Sequence, residues 1–98
     1  MDRGALKKLY QVLTLIMMVE VVPVKFLKAI EGRKGLYEIR WDHDGNAFRV
    51  FCCFDEGNLI ILLNGFQKKT QKIPNEQLAL AESLMKKYFE MKRKLNHG

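Results

Sequence analysis

One stretch restricts the fold of this chain more than any other: residues 35–72, GLYEIRWDHDGNAFRVFCCFDEGNLIILLNGFQKKTQK. Three apolar-rich runs, Leu36–Asp42, Ala47–Asp55 and Asn58–Phe66, are separated by the turn signals Asp44-Gly45 and Glu56-Gly57. Asp-Gly between alternating apolar residues is a strong hairpin signal, because both central turn positions need a positive φ. The stretch predicts an antiparallel three-stranded meander over residues 36–66, and with it an α+β fold.

Two-residue turns fix a register. His43 then faces Asn46, which sets Arg40 opposite Arg49. Asp55 faces Asn58, which sets Arg49 opposite Asn64. Alternation sorts the faces. Tyr37, Ile39, Trp41, Phe48, Val50, Cys52, Phe54, Leu59, Ile61 and Leu63 form an apolar layer on which the helices are expected to pack. The other face carries Glu38, Arg40, Arg49, Phe51, Leu62, Asn64 and Phe66, with a polar row Arg40–Arg49–Asn64 across the strands. Like charges directly opposite each other cost a few tenths of a kcal/mol, up to about 1. Such a row suits an anionic ligand, or it is neutralised by the diagonal neighbours Glu38 and Asp42. Spacing alone leaves both readings open.

Helical periodicity flanks the stretch. Leu6, Leu9, Tyr10, Leu13, Ile16 and Met17 predict a helix from Ala5 to about Val21. Pro23–Glu31 reads as a short second helix with Phe26, Leu27 and Ile30 inward, stopped by Gly32. Both N-terminal helices are expected on one face of the sheet. A C-terminal helix opens at Pro74-Asn75, with Leu78, Ala81, Leu84, Met85, Tyr88 and Leu95 as its apolar stripe. Ninety-eight residues suffice for one domain, taken as residues 1–98.

The net charge of +6 fits a nucleic acid or an acidic protein as partner. The loop Gln67-Lys68-Lys69-Thr70-Gln71-Lys72 leaves the sheet beside the arginine row and suits phosphate contact. Cys52 and Cys53 are adjacent in a strand and point to opposite faces, so they are expected reduced, unbridged and without catalytic role. The apolar run after Lys8 is interrupted by Glu20. It is shorter than the ~20 residues of a membrane span, so neither insertion nor secretion is expected, and the location is expected to be cytoplasmic. No nucleophile motif, metal-ligand spacing or glycine-rich phosphate loop occurs, so no metal and no cofactor is expected. His43 and His97 read as solvated. Any catalysis then rests on Arg, Lys, Tyr and a carboxylate, a set that fits cleavage of RNA by its own 2′-hydroxyl.

The order helix–helix–meander–basic loop–helix, with GLYEIR (35–40), FRV (48–50) and NGFQKKT (64–70), resembles the phage-derived, HigB-like branch of the RelE/ParE toxin superfamily. The resemblance covers roughly residues 22–90. It implies the toxin of a type II toxin–antitoxin pair, acting as a ribosome-dependent mRNA endonuclease that works without a metal. Its partners would be mRNA on the ribosome and a helix-turn-helix antitoxin. Carried over, Arg49 would clamp the scissile phosphate, Arg40 would support it, and Lys68 or Lys69 would bind RNA or assist proton transfer. Asn64, Lys72, Arg33 and Lys34 would bind RNA, and Tyr88 is a further candidate. Family members usually begin with an additional strand, whereas this chain starts within the following helix. The departure implies an unpaired sheet edge, a partly exposed Val12–Val19 run and a possible homodimer through that edge. It also keeps two alternatives open, a non-catalytic module that binds an antitoxin and a ParE-like gyrase inhibitor.

Overall fold

A computed structural model describes residues 2–57 and 59–97. Helix α1 spans Arg3–Met18, strand β1 Leu27–Ala29, β2 Tyr37–His43, β3 Asn46–Asp55, β4 Leu59–Lys68, and helix α2 Asn75–His97. The four strands form one antiparallel sheet in the order β1-β2-β3-β4. Two expectations fail here: the sheet has four strands rather than three, and one helix rather than two precedes it.

Helix α1 starts at Asp2, whose side chain accepts from the Ala5 amide at 2.8 Å. Its buried stripe is Ala5, Leu9, Val12 and Ile16, one residue round from the expected one. Tyr10 and Met17 consequently point to solvent. The small residues explain the rotation. Gly4 lies against the His43 ring, where any Cβ would come within 2.3 Å of Nε2. The Trp41 indole donates to the Ala5 carbonyl at 3.1 Å. His43 is therefore half-buried under α1 rather than solvated; the side chain of His97 lies outside the described residues.

The expected second helix is a single turn, in which the Phe26 and Leu27 amides donate to the Pro23 carbonyl. The chain then extends and pairs Leu27 with Ile39, Lys28 with Glu38 and Ala29 with Tyr37. A nine-residue helix is marginal by itself. The open edge of β2 offers ladder bonds instead, and pairing there prevails.

The β2–β3 turn matches expectation, with Asp44 at φ 51° and Gly45 at φ 74°, and Arg40 faces Arg49. The β3–β4 turn does not. The expected partner of Asp55, Asn58, lies outside the described residues; Asp55 pairs with Leu59, one residue further on. A bulge between Val50/Gly65 and Cys52/Leu62 shifts the register again, so Arg49 faces Phe66 and not Asn64. One extra residue in a strand connection flips every later side chain. Ile60 thus joins the α1 face and Leu63 the other; beyond the bulge the second shift restores the expected alternation, and Phe66 lies on the face expected for it.

The helices pack on both faces, not on one. Helix α1 covers Ile39, Trp41, Phe48, Val50 and Cys52. Helix α2 lays Leu78, Ala81 and Met85 over Phe51, Leu36 and Ile30. Leu95, expected on its stripe, is 79% exposed. Among the described residues no helix is long and apolar enough to cross a membrane.

Candidate functional site

Helix α2 covers only part of its face of the sheet. Its first turn is tied to the β4 bulge, where the Asn64 amide donates to the Gln77 carbonyl and to Gln77 Oε1 at 3.0 and 2.9 Å. Its far end is tied to the β3–β4 turn. There Asp55 accepts from the Tyr88 hydroxyl and from Lys92, each at 2.7 Å. On the other side of Asn64 lie Glu38, Arg40, Ala47, Arg49 and Lys68, of which Glu38 and Arg49 are buried and the others half-buried.

Around them lie two adjoining clefts. One, of about 390 Å³, is lined by Arg49, Lys68, Lys69, Thr70 and Gln71 over Ala47. The other, of about 320 Å³, brings Lys28, Glu31, Glu38 and Arg40 to Lys68 and Gln71. A smaller recess joins Lys25, Asp42 and Trp41 to both arginines. Lys68 and Gln71 stand on the ridge between the two larger clefts. The loop keeps its shape in part through the Thr70 hydroxyl, which donates to the Lys72 carbonyl at 3.0 Å.

The electrostatics centre on Glu38, which is 3% exposed. Its Oε1 lies 3.4 Å from Arg40 Nε and 3.8 Å from Arg49 Nε, within ion-pair reach. Neither contact has hydrogen-bond geometry. Glu38 Oε2, Arg40 Nε and Arg49 Nε are all buried without a hydrogen bond. Arg49 Nη1 donates to the Phe48 carbonyl at 2.7 Å. Burial pulls the Arg49 guanidinium below its ordinary value. Glu38 opposes that shift, Arg40 adds to it, and Asp42 opposes it. Arginine stays charged in proteins nonetheless. Each unsatisfied buried polar group costs roughly 1–3 kcal/mol. A fold that gathers three of them beside a cation-lined cleft keeps hydrogen-bonding capacity in reserve at one place.

The structure therefore brings Arg40, Arg49, Lys68 and Lys69 together, as the sequence suggested. It sets the other candidates apart. Asn64 serves the α2 anchor, and Lys72 is exposed on the loop. Arg33 pairs with Glu82 and shares a separate cleft with Lys34 and Lys86. Tyr88 is committed to Asp55 at the opposite end of α2. Cys52 and Cys53 are buried and free, with the Cys52 thiol pushed up to about 12 by burial and so inert. Lys25 and Lys28 escaped the sequence reading, whereas Gln71 belongs to the loop expected to contact phosphate. Lys25 and Lys28 were hidden by the helical interpretation of residues 23–31; alternation through Lys28, directly opposite Glu38, is the signal that places it.

The fold and cleft define a class: small basic α+β proteins with a helix on each face of an antiparallel sheet and an arginine- and lysine-lined recess at one end. Within it, the chain belongs to the family described as Phage derived protein Gp49-like (DUF891), whose family model matches residues 1–86. This is a toxin-like family of the RelE/HigB type. No curated protein matches the chain, and no solved structure matches it. The matched residues include α1, the whole sheet, the basic loop and the first half of α2, and so every residue of the cleft.

Proposed function

We propose that this chain is a HigB-branch toxin of a type II toxin–antitoxin pair that cuts mRNA on the translating ribosome. The observation that carries the reading is the Arg40–Glu38–Arg49 cluster, buried yet unsatisfied, opening onto Lys68 and Lys69.

The chemistry follows from the geometry. A backbone phosphate entering the cleft meets the Arg49 guanidinium and the Lys68 ammonium and supplies the acceptors that the arginines lack. The adjacent 2′-hydroxyl gives up its proton to water and attacks phosphorus, its oxygen forms the new P–O bond, and the bond to the 5′-oxygen breaks. The products are a 2′,3′-cyclic phosphate and a 5′-hydroxyl end. Negative charge builds on the non-bridging oxygens during the step. Fixed cations in a partly dehydrated recess stabilise that charge more than they stabilise the ground state. In this reading Lys68, half-buried on the ridge, gives a proton to the departing 5′-oxygen. Glu38 holds the two like-charged arginines side by side.

Such a toxin acts in the cytoplasm and is held in check by an antitoxin, for which a helix-turn-helix protein is the proposed partner. Induced expression is expected to arrest growth and to leave cuts in ribosome-bound mRNA, mapped by primer extension. Arg49→Ala should remove both. Normal growth and intact mRNA in the presence of soluble wild-type protein would overturn the reading. Loss of gyrase supercoiling with intact mRNA would replace it with a ParE-like one.

A further inference from the structure

Strand β4 ends the sheet, and its outer edge has no partner among the described residues. Its first half, Leu59–Leu63, reads LIILL, with Leu59 54% and Leu62 45% exposed. Natural edge strands are usually blunted by a lysine, a proline or an early bulge. Here the bulge follows Leu62, and the first charge is Lys68 at the strand's last position. Beside the edge, Leu13 and Met17 of α1 join Leu59, Ile60 and Leu62 around an apolar groove of about 220 Å³. Met18 and Val21, at and just past the end of α1, are also exposed, at 78% and 85%. A contiguous apolar strip next to a free strand edge marks an interaction surface.

We propose that the occupant is a second copy of this chain, with β4 pairing antiparallel to β4 across a two-fold axis at Ile61. Two features of the strand select a copy of itself. The first is self-complementarity. About Ile61, Leu59 meets Leu63 and Ile60 meets Leu62, so the LIILL segment satisfies itself. Ile60 and Leu62 both lie on the α1 side, so the register joins the two apolar grooves into one layer. The second is charge. The exposed Glu56 precedes β4, and the basic pair Lys68-Lys69 ends it. Antiparallel pairing sets the acidic end of each copy towards the basic end of the other, twice over. A parallel arrangement would oppose like charges. The four strands of each copy then form one continuous sheet. The self-complementary Leu59–Leu63 edge lies outside the cleft, and only Lys68 and Lys69 are shared with it.

The test is the solution mass of the full chain by light scattering and sedimentation, from about 1 to 100 µM, the range in which a modest interface shows itself. The wild type is expected at twice the chain mass. Leu62→Lys should give the mass of one chain with an unchanged circular dichroism spectrum. Directly opposed strand residues have Cα atoms roughly 4.5–5.5 Å apart, within disulfide reach. Ile61→Cys is therefore expected to form a covalent dimer under mild oxidation, while the native cysteines stay buried. Leu95→Cys, exposed on α2, should not. A single-chain mass throughout the range, a dimer that persists in Leu62→Lys, or equal crosslinking of Leu95→Cys and Ile61→Cys would each overturn the proposal.

Discussion

The α2 face of the sheet has two ends, and each holds a nearly buried carboxylate among cations. At one end Asp55, 8% exposed, receives Tyr88 and Lys92 at 2.7 Å each, and Lys92 reaches Glu56 as well. At the other end Glu38, 3% exposed, faces two arginines at 3.4 and 3.8 Å, and no protein group hydrogen-bonds its second oxygen. The residue chemistry is nearly the same and the degree of completion differs. The later turns of α2 close the first cluster, whereas α2 begins too far along to reach the second. A satisfied network fixes a fold. An unsatisfied one costs stability unless a ligand completes it.

Exchanging damage between the two ends is the sharpest way to break the comparison. Arg49→Ala should lower mRNA cleavage by about 100-fold or more, the scale on which loss of a charge-stabilising group is felt. Asp55→Asn should leave cleavage per folded molecule within about twofold and act on stability instead. Toxicity assays, corrected for the folded fraction by thermal unfolding, check both. Equal loss of specific activity in the two variants would erase the distinction.

Glu38→Gln comes next in size. Without its charge, Arg40 and Arg49 repel each other across a ladder pair, and stability should fall by about 2 kcal/mol. The site also becomes more positive. Affinity for a cleavage-resistant RNA oligonucleotide should hold or rise, while cleavage falls about tenfold because the arginines lose their common anchor. A parallel loss of binding and cleavage would make Glu38 a fold residue, like Asp55.

These differences between the ends were only partly legible in the sequence. Asp44-Gly45 set the β2–β3 register and with it the Arg40–Arg49 pair, because a two-residue turn allows little else. Glu56-Gly57 has no such authority. The strand resumes one residue late, and a bulge at Leu63–Asn64 restores part of the alternation, so Phe66 takes the place intended for Asn64. Neither event has a distinct residue signature. Residues 23–31 misled for a different reason: Phe26, Leu27 and Ile30 satisfy a helical stripe as well as they satisfy a strand. The choice was made by the open edge of β2, which local spacing does not contain. Tyr88 is ambiguous by the same logic. An apolar stripe shows that it faces the sheet, and only tertiary structure shows at which end.

The Asp55 end should announce itself through pH. Hydrogen bonds from Lys92 and then Tyr88 hold the Asp55 carboxyl below its ordinary value of 3.8. Its contribution is complete above that value and is lost as pH falls through the lowered one. Asp55 likewise holds the Tyr88 hydroxyl and the Lys92 ammonium above their ordinary 10.0 and 10.5. Their contribution is complete below those values and is lost as pH rises through the raised ones. The wild type should therefore unfold several degrees above Asp55→Asn across about pH 5–9, with the gap closing in acid and again in strong alkali. A gap independent of pH would mean that packing of α2, rather than the carboxylate, fixes this end.

The smallest effect belongs to the outer rim of the open end. Lys69 is exposed on the loop, and any phosphate that it meets remains hydrated. Lys69→Ala should weaken RNA binding only two- to threefold at physiological salt, and should reduce the dependence of log K on log salt by about one ion. Arg33→Ala supplies the contrast, because its guanidinium is already paired with Glu82 away from the cleft. Its salt dependence should match the wild type. Should Arg33→Ala flatten the slope as much as Lys69→Ala, the RNA path would extend beyond the recess to the Lys34–Lys86 cleft. The functional boundary at this end would then be drawn by the whole basic surface and not by the unsatisfied arginines.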